Sequence, residues 1–592
     1  MRELDYPFDP KQIMRKRKAY KRELKGDGTC RIGKNIAILG GSTTNDLVDI
    51  LELFLLNYGI EPSFYQSEYG KFWEDGVFDN PILDGFNPDV IFIHTTNRNI
   101  TAYPAIGDNR NAAEALLAEQ YGRFETLWDS LTEKYHCPII QNNFELPAAR
   151  AMGNMEASSH FGTVNFITRL NVLFYDYADG HDYLYINDIN HQSAQLGFDR
   201  WHDPFAWYMY KYAVSLDAIP TLAFNVANII KAIYGKNKKA LALDLDNTLW
   251  GGIVGDDGAE GLAVGNETSR GQMYTEFQQY LKKLQSCGIL LNIISKNEES
   301  NAMAGLNNRG MVLKKDDFIS IKANWEPKSE NLIHMAQELD LGVDSFVFVD
   351  DNPAEREIIR QQGLGAGIPK LEKPETYIRQ IDRAGYFEMV SCSEDDARRN
   401  VMYRENAKRA DFKKRFTDYQ EYLRSLAMTA QIAPFSSAYF DRIAQLTNKS
   451  NQFNLTTRRF TRDEIESMSE NRGYVTLYGK LADKFGDNGV VSVVIGKKKG
   501  KILDIILWLM SCRVLKRDME FAMMDQLVEQ CKKEEITTIR GFYHPTEKNG
   551  MVKDFYAGQG FEKDSEDAKG NSVWSMAVAG YERKNYVIHK ED

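Results

Sequence analysis

The chain has 592 residues, 43% hydrophobic and 27% charged, with a formal net charge of −11. At about 100–200 residues per domain, that length implies three or four cores in an ordinary soluble protein. The acidic balance argues against broad nucleic-acid binding, which needs a basic face to displace counterions.

Near the N-terminus, MRKRKAYKRELK (residues 14–25) is the one strongly basic stretch, and it reads as a solvated helical arm. It lacks a signal peptide's apolar stretch, and nothing later approaches the roughly 18 consecutive apolar residues of a membrane span. NIAILGGSTT (35–44) reads as a short strand ending in glycines, followed by an amphipathic helix in NDLVDILELFLLNYGI. DVIFIHTT (89–96) and HCPIIQNN (136–143) read as further buried strands. Strands alternating with helices predict a parallel sheet. From Lys239 the alternation resumes: ALALDLD, a helix over about Met273–Cys287, ILLNIIS, a helix over about Lys328–Leu339, and SFVFVDD. A charged helical connector, roughly Glu394–Leu426, leads to longer strand signals such as GVVSVVIGKKKGKILDIILWLM (489–510), which predict an antiparallel α+β unit. No repeat appears at solenoid periods. The six cysteines are scattered without metal-site spacing and read as reduced thiols of a cytoplasmic protein.

The predicted fold class is therefore multidomain α/β. The expected segments are an α/β domain over 1–232, a Rossmann-like domain over 236–390, the connector over 391–426 and an α+β domain over 427–592. In the middle region, Asp244 and Asp246 fall at the carboxyl end of a buried strand, where open parallel sheets collect ligands. Ser295, Lys328 and Asp350–Asp351 fall at other segment ends and converge if the sheet is doubly wound. Carboxylates gathered there repel unless a cation joins them. An all-oxygen set suits Mg²⁺ with a substrate phosphate, the setting for metal-assisted phosphoryl transfer.

These motifs, in order over roughly Lys239–Lys370, resemble the haloacid dehalogenase (HAD) superfamily. The resemblance implies that Asp244 is the nucleophile that forms an aspartyl-phosphate and that Asp246 is the general acid/base. It further implies that Asp244, the Asp246 carbonyl and Asp350 hold Mg²⁺ with Asp351 in support, and that Ser295 and Lys328 bind the phosphoryl oxygens. Lys328 is preferred over Lys322 because PKSENL opens a helix with proline before it. The stretch after Leu249, with GGIVGDDG, is too short for a separate cap domain.

LDLDNTLWGGIVGDDG, TNKSNQFNLTTRRF (447–460) and SCRVLKRDME (511–520) together resemble FkbH-like proteins. That resemblance implies a C-terminal acetyltransferase-like (GNAT) fold and removal of phosphate from a phosphorylated small molecule. It points to 1,3-bisphosphoglycerate, whose glyceryl group is loaded onto an acyl carrier protein. The alternative is a plain phosphatase acting on a sugar phosphate or polysaccharide precursor. NGMVKDFYAGQGFEK (549–563) looks like the last helix and strand of the GNAT fold. RVLKRD, however, carries Lys516 and Asp518 where an acyl-CoA loop needs glycines, so CoA binding is not expected. Cys512 is a candidate acyl-holding thiol, against a plain reading as a buried strand-end cysteine. The first region resembles an SGNH-hydrolase-like fold, with Ser42 at the nucleophile turn, Asn97 as an oxyanion donor and Asp199–His202 as an Asp-x-x-His pair. A docking or lid role is the favoured reading for it.

Overall fold

The computed structural model describes residues 1–392, 398–450, 452–546 and 549–591. The start of the expected connector falls at 393–397, outside the described residues. The chain forms two compact units, Met1–Lys236 with Glu388–Ser391, and Asn237–Phe387 with Cys392–Asp592. Among the described residues, no helix is long and apolar enough to cross a membrane.

The first unit is built on five parallel strands: β1 (Ile32–Gly40), β2 (Ile60–Gln66), β3 (Val90–His94), β4 (Ile139–Asn142) and β5 (Leu184–Asn187). They lie in the order β2-β1-β3-β4-β5, so the order reverses beside β1. Such a switch point opens a crevice at the carboxyl ends of the strands. Helix α1 (Pro10–Gly26) starts cleanly because the Asp9 side chain accepts from the Lys11 and Gln12 amides and Pro10 occupies the first turn. It is no free arm: Ile13, Tyr20 and Leu24 are buried. Arg17 pairs with Asp46 and Asp49, and Lys21 and Lys25 pair with Glu52, all on α2 (Asn45–Asn57). The solvated-arm expectation fails because the basic face of α1 meets an acidic face that lies in a later helix.

In the second unit, β6 (Ala240–Leu243), β7 (Leu290–Ser295), β8 (Phe318–Ala323) and β9 (Phe346–Val349) form a parallel sheet ordered β8-β7-β6-β9. β6 and β9 are buried along their whole length, as strands covered on both faces require. Helix α3 spans Ser269–Ser286, a turn earlier than expected, because Thr268 caps the amide of Gly271. Helix α4 runs Lys328–Glu338, close to expectation. Between Leu249 and α3 the chain forms only the short helix Val254–Gly261 and a bridge from Gly251 to Ala263, with no inserted domain.

The connector contains α5 (Arg399–Lys413), which is packed on both sides within this unit. Asn400 Nδ2 donates to the Gln285 carbonyl at 2.8 Å, at the end of α3. At its other end, the Arg409 guanidinium donates to both oxygens of Asp483 at 2.7 and 2.8 Å.

Among the described residues, nine further strands make one mixed sheet: β10 (Met428–Ala433), β11 (Phe453–Asn454), β12 (Tyr474–Asp483), β13 (Gly486–Lys499), β14 (Ile502–Met510), β15 (Thr538–Tyr543), β16 (Glu562–Glu566), β17 (Ser572–Ala577) and β18 (Ile588–Lys590). It is antiparallel except at β14–β15 and β10–β18. With the helices packed on it, this sheet makes the region the α+β unit that the strand signals predict. The strand after the Phe555–Gln559 helix is not the last, since β17 and β18 follow. β14 and β15 pair only over Ile502–Ile505 and Thr538–Gly541, and β11 pairs with the free end of β14 at Leu509–Met510.

Candidate active site

Asp244 directly follows β6 and Asp350 directly follows β9, so adjacent parallel strands present both carboxylates at one rim. The Asp244 amide donates to the Val349 carbonyl at 2.9 Å, which locks this register. Ligand oxygens of Asp244, Asp350 and Asp351 lie within 4.8 Å of one another. Lys328, at the start of α4, reaches between them with its Nζ 3.0 Å from Asp244 Oδ2 and 2.6 Å from Asp350 Oδ2. Lys322 instead pairs with Glu338 at the surface. Ser295, at the end of β7, bonds the Asp244 carboxylate.

The electrostatics follow from burial. Desolvation raises Asp244 to about 6, aided by the Asp350 charge and opposed by Lys328. Burial also raises Asp350 and Asp351. Burial alone would lower Lys328, but the charges of Asp244 and Asp350 hold it above its ordinary value. One ammonium thus faces three carboxylates, and the cluster is short of positive charge. A hard divalent cation with oxygen ligands fits that deficit and donor set, and Mg²⁺ is the natural occupant.

Asp246 is held differently. Its Oδ1 accepts from Trp250 Nε1 at 2.9 Å and from the Val254 amide at 3.0 Å, and its Oδ2 accepts from Asn297 Nδ2 at 2.8 Å. The loop wraps around it because Asn247 adopts a left-handed φ of 54° and Gly252 a φ of 107°. Sequence reasoning missed Trp250, Asn297 and Arg356. Arg356 donates to the Asp351 carbonyl at 2.8 Å and to the Asp350 carbonyl, bracing the acidic pair from behind. Asn297 carried one usable signal, its position two residues beyond Ser295 at a strand end.

The other expected positions lie elsewhere. Cys512 Sγ is 3.9 Å from the hydroxyl of Tyr403 on α5. Lys516 and Asp518 sit at left-handed φ of 63° and 61°, and Arg517 between them turns inward to Asn406 at 2.7 Å and Asp483 at 3.3 Å. In the first unit, Ser42 Oγ and His202 Nε2 are buried without hydrogen-bond partners among the described residues. The His202 ring bonds the Leu146 backbone, and burial lowers its pKa. Asn97 Nδ2 donates to the Glu145 carbonyl at 3.2 Å, whereas Asn99 reaches the Gly41 carbonyl at 2.9 Å.

Fold and site together define a HAD-type α/β domain with a carboxylate centre suited to a divalent cation. The chain is similar to the N-terminal part of the Bacteroides fragilis protein BF1531, described as containing a phosphatase domain complexed with Mg. The likeness has 30% identity and a TM-score of 0.58, and covers 63% of this chain and 99% of that one. The chain belongs to the family of that protein, and its residues 35–231 match the FkbH N-terminal domain. The Escherichia coli ribosomal-protein-S18-alanine N-acetyltransferase matches at 10% identity and a TM-score of 0.21, covering 27% of this chain and 99% of its own. Ard1 from Thermoplasma volcanium matches at 17% and 0.21, covering 26% and 98%. No curated protein sequence matches.

Proposed function

We propose that the protein is a Mg²⁺-dependent phosphohydrolase that works through an aspartyl-phosphate. The observation that carries this reading is the buried Asp244–Lys328–Asp350 cluster with Asp351 beside it. The Asp244 carboxylate attacks phosphorus, and the bond to the leaving oxygen breaks as Asp246 gives that oxygen a proton. Asp246 then takes a proton from water, whose oxygen attacks phosphorus and frees Asp244 and inorganic phosphate. Ser295 and Lys328 hold the phosphoryl oxygens and offset their charge. Asp244, Asp350, Asp351 and the Asp246 carbonyl would hold the cation, which supplies further charge neutralisation when bound.

The finer reading is transfer of a glyceryl group from 1,3-bisphosphoglycerate to an acyl carrier protein, with Cys512 as a candidate acyl carrier. The second reading is a plain phosphatase acting on a sugar phosphate. It is favoured by Trp325, an exposed but anchored aromatic on the rim of the site. The first unit is read as a supporting domain with an SGNH-like fold, because neither Ser42 Oγ nor His202 Nε2 has a hydrogen-bond partner among the described residues. Phosphate release from acetyl phosphate, with Mg²⁺ and with EDTA, tests the common core. Asp244→Asn is expected to abolish both turnover and acid-stable labelling by phosphate, and retention of either refutes the reading. Thioester formation on a carrier protein, followed by mass spectrometry, separates the two branches.

A further inference from the structure

Trp325 is 67% exposed, unusual for a residue that normally buries most of its ring. It does not hang loose. Its Nε1 donates to Glu298 Oε1 at 2.7 Å, a bond strengthened by the acceptor's charge. Its backbone is equally constrained. Asn324 and Asn331 exchange side-chain hydrogen bonds at 2.8 and 3.3 Å, and the Asn324 side chain also accepts from the Glu326 amide at 3.1 Å. Pro327 follows and α4 begins at once. An aromatic face is thus held rigidly in water, where it gains little from burial.

The ring's position gives it a use. The Asn324 amide donates to the Ser295 carbonyl at 3.2 Å, which ties the Trp325 loop to the strand end whose hydroxyl touches Asp244. Glu298, the anchor, lies one residue after Asn297, which holds Asp246. Lys328, which joins Asp244 to Asp350, lies three residues beyond Trp325. The platform therefore stands on the same rim as the phosphoryl-binding groups.

The surrounding charge selects the occupant. Glu298 and Glu326 in the two loops and Glu299 at the start of the following helix are exposed, and the nearby Lys296 is neutralised by Glu355 at 2.6 Å. An acidic protein surface would be repelled there. A ring with an apolar C–H face and outward hydroxyls suits it: the face packs on the indole and the hydroxyls donate to the glutamates.

We propose that Trp325 and Glu298 form a binding platform for the sugar ring of a phosphorylated substrate, setting specificity beyond the phosphate. The proposal rests on the phosphohydrolase reading and favours its sugar-phosphate branch. The test compares glucose 6-phosphate with acetyl phosphate, which carries no ring, in wild type, Trp325→Ala and Trp325→Tyr. Alanine is expected to lower the ratio of kcat/KM for glucose 6-phosphate to that for acetyl phosphate about fivefold to tenfold, mainly through KM, with tyrosine restoring most of it. A ratio unchanged by alanine overturns the platform. So does a wild type that cleaves acetyl phosphate but not glucose 6-phosphate, or a loss seen only in the presence of an acyl carrier protein. A wild type that cleaves neither compound overturns the phosphohydrolase reading itself, and the platform with it.

Discussion

Replacing Asn297 with alanine acts chiefly on the orientation of Asp246. Three donors fix that carboxylate, at 2.9 Å from Trp250, 3.0 Å from the Val254 amide and 2.8 Å from Asn297. Among the described residues Asn297 alone serves Oδ2, so without it that oxygen loses this donor and the carboxylate can swing about the remaining pair. A hydrogen bond to a charged group contributes about 1.5–3 kcal/mol. If that orientation matters in the transition state, kcat falls about tenfold to hundredfold, since each 1.36 kcal/mol is a factor of ten. Asn297 Nδ2 also lies 3.5 Å from Ser295 Oγ, too long to hold that hydroxyl strongly, so KM is expected to stay within about twofold, the signature of an interaction used in the transition state alone. Steady-state phosphate release from glucose 6-phosphate, whose alkoxide leaving group needs a proton where the acetate of acetyl phosphate does not, measures both constants at saturating Mg²⁺. A kcat within twofold of wild type, or a loss confined to KM, would refute the assignment of Asp246 as the proton donor held by Asn297.

Glu145, buried in the first unit, is raised to about 8 by desolvation from an ordinary 4.5. Its raised value stabilises the fold fully below about 4.5, and that stabilisation is lost as pH rises through about 8, up to about 5 kcal/mol in all. Urea unfolding at pH 5 and pH 8 should show a smaller pH dependence in Glu145→Gln than in wild type, and equal slopes would refute the burial argument. Arg409→Ala breaks a buried bidentate pair with Asp483 and leaves that carboxylate, among the described residues, with Arg517 as its cationic partner at 3.3 Å. The expected cost is about 3–5 kcal/mol in the unfolding of the second unit, read by denaturant titration, and a loss below about 1 kcal/mol would refute it.

What could be read from the sequence and what could not divides along physical lines. ALALDLD announces itself because a strand buried on both faces must be apolar throughout, and acids at its end need a reason. Both facts are local. The same logic points to Asp350 after FVFV; Lys328 is preferred over Lys322 on a different signal, the proline that opens its helix, and in the structure Lys322 pairs with Glu338. The basic arm misled because its partners, Asp46, Asp49 and Glu52, lie on a helix separated from it by a strand. Charge patterning in one segment says nothing of the charge it will meet. NWEPKSENL draws the eye to its lysine and not to Trp325, because exposure and an Nε1–Glu298 bond across two loops have no local pattern.

The loop at Lys516 and Asp518 carries this further. Reading it by its missing glycines addresses side-chain chemistry and says nothing of backbone shape. Both residues hold the left-handed backbone that glycine adopts freely, at φ of 63° and 61°, where a side chain costs about 1 kcal/mol or more. That strain is offset locally: Arg517 is drawn inward to Asn406, Asp483 and the Arg513 carbonyl, and Tyr419 donates to the Lys516 carbonyl. Asn406 belongs to α5, which also grips the end of α3 through Asn400. The turn is thus taken up in docking the connector helix, and within the second unit that helix ties the mixed sheet to the domain that carries Asp244.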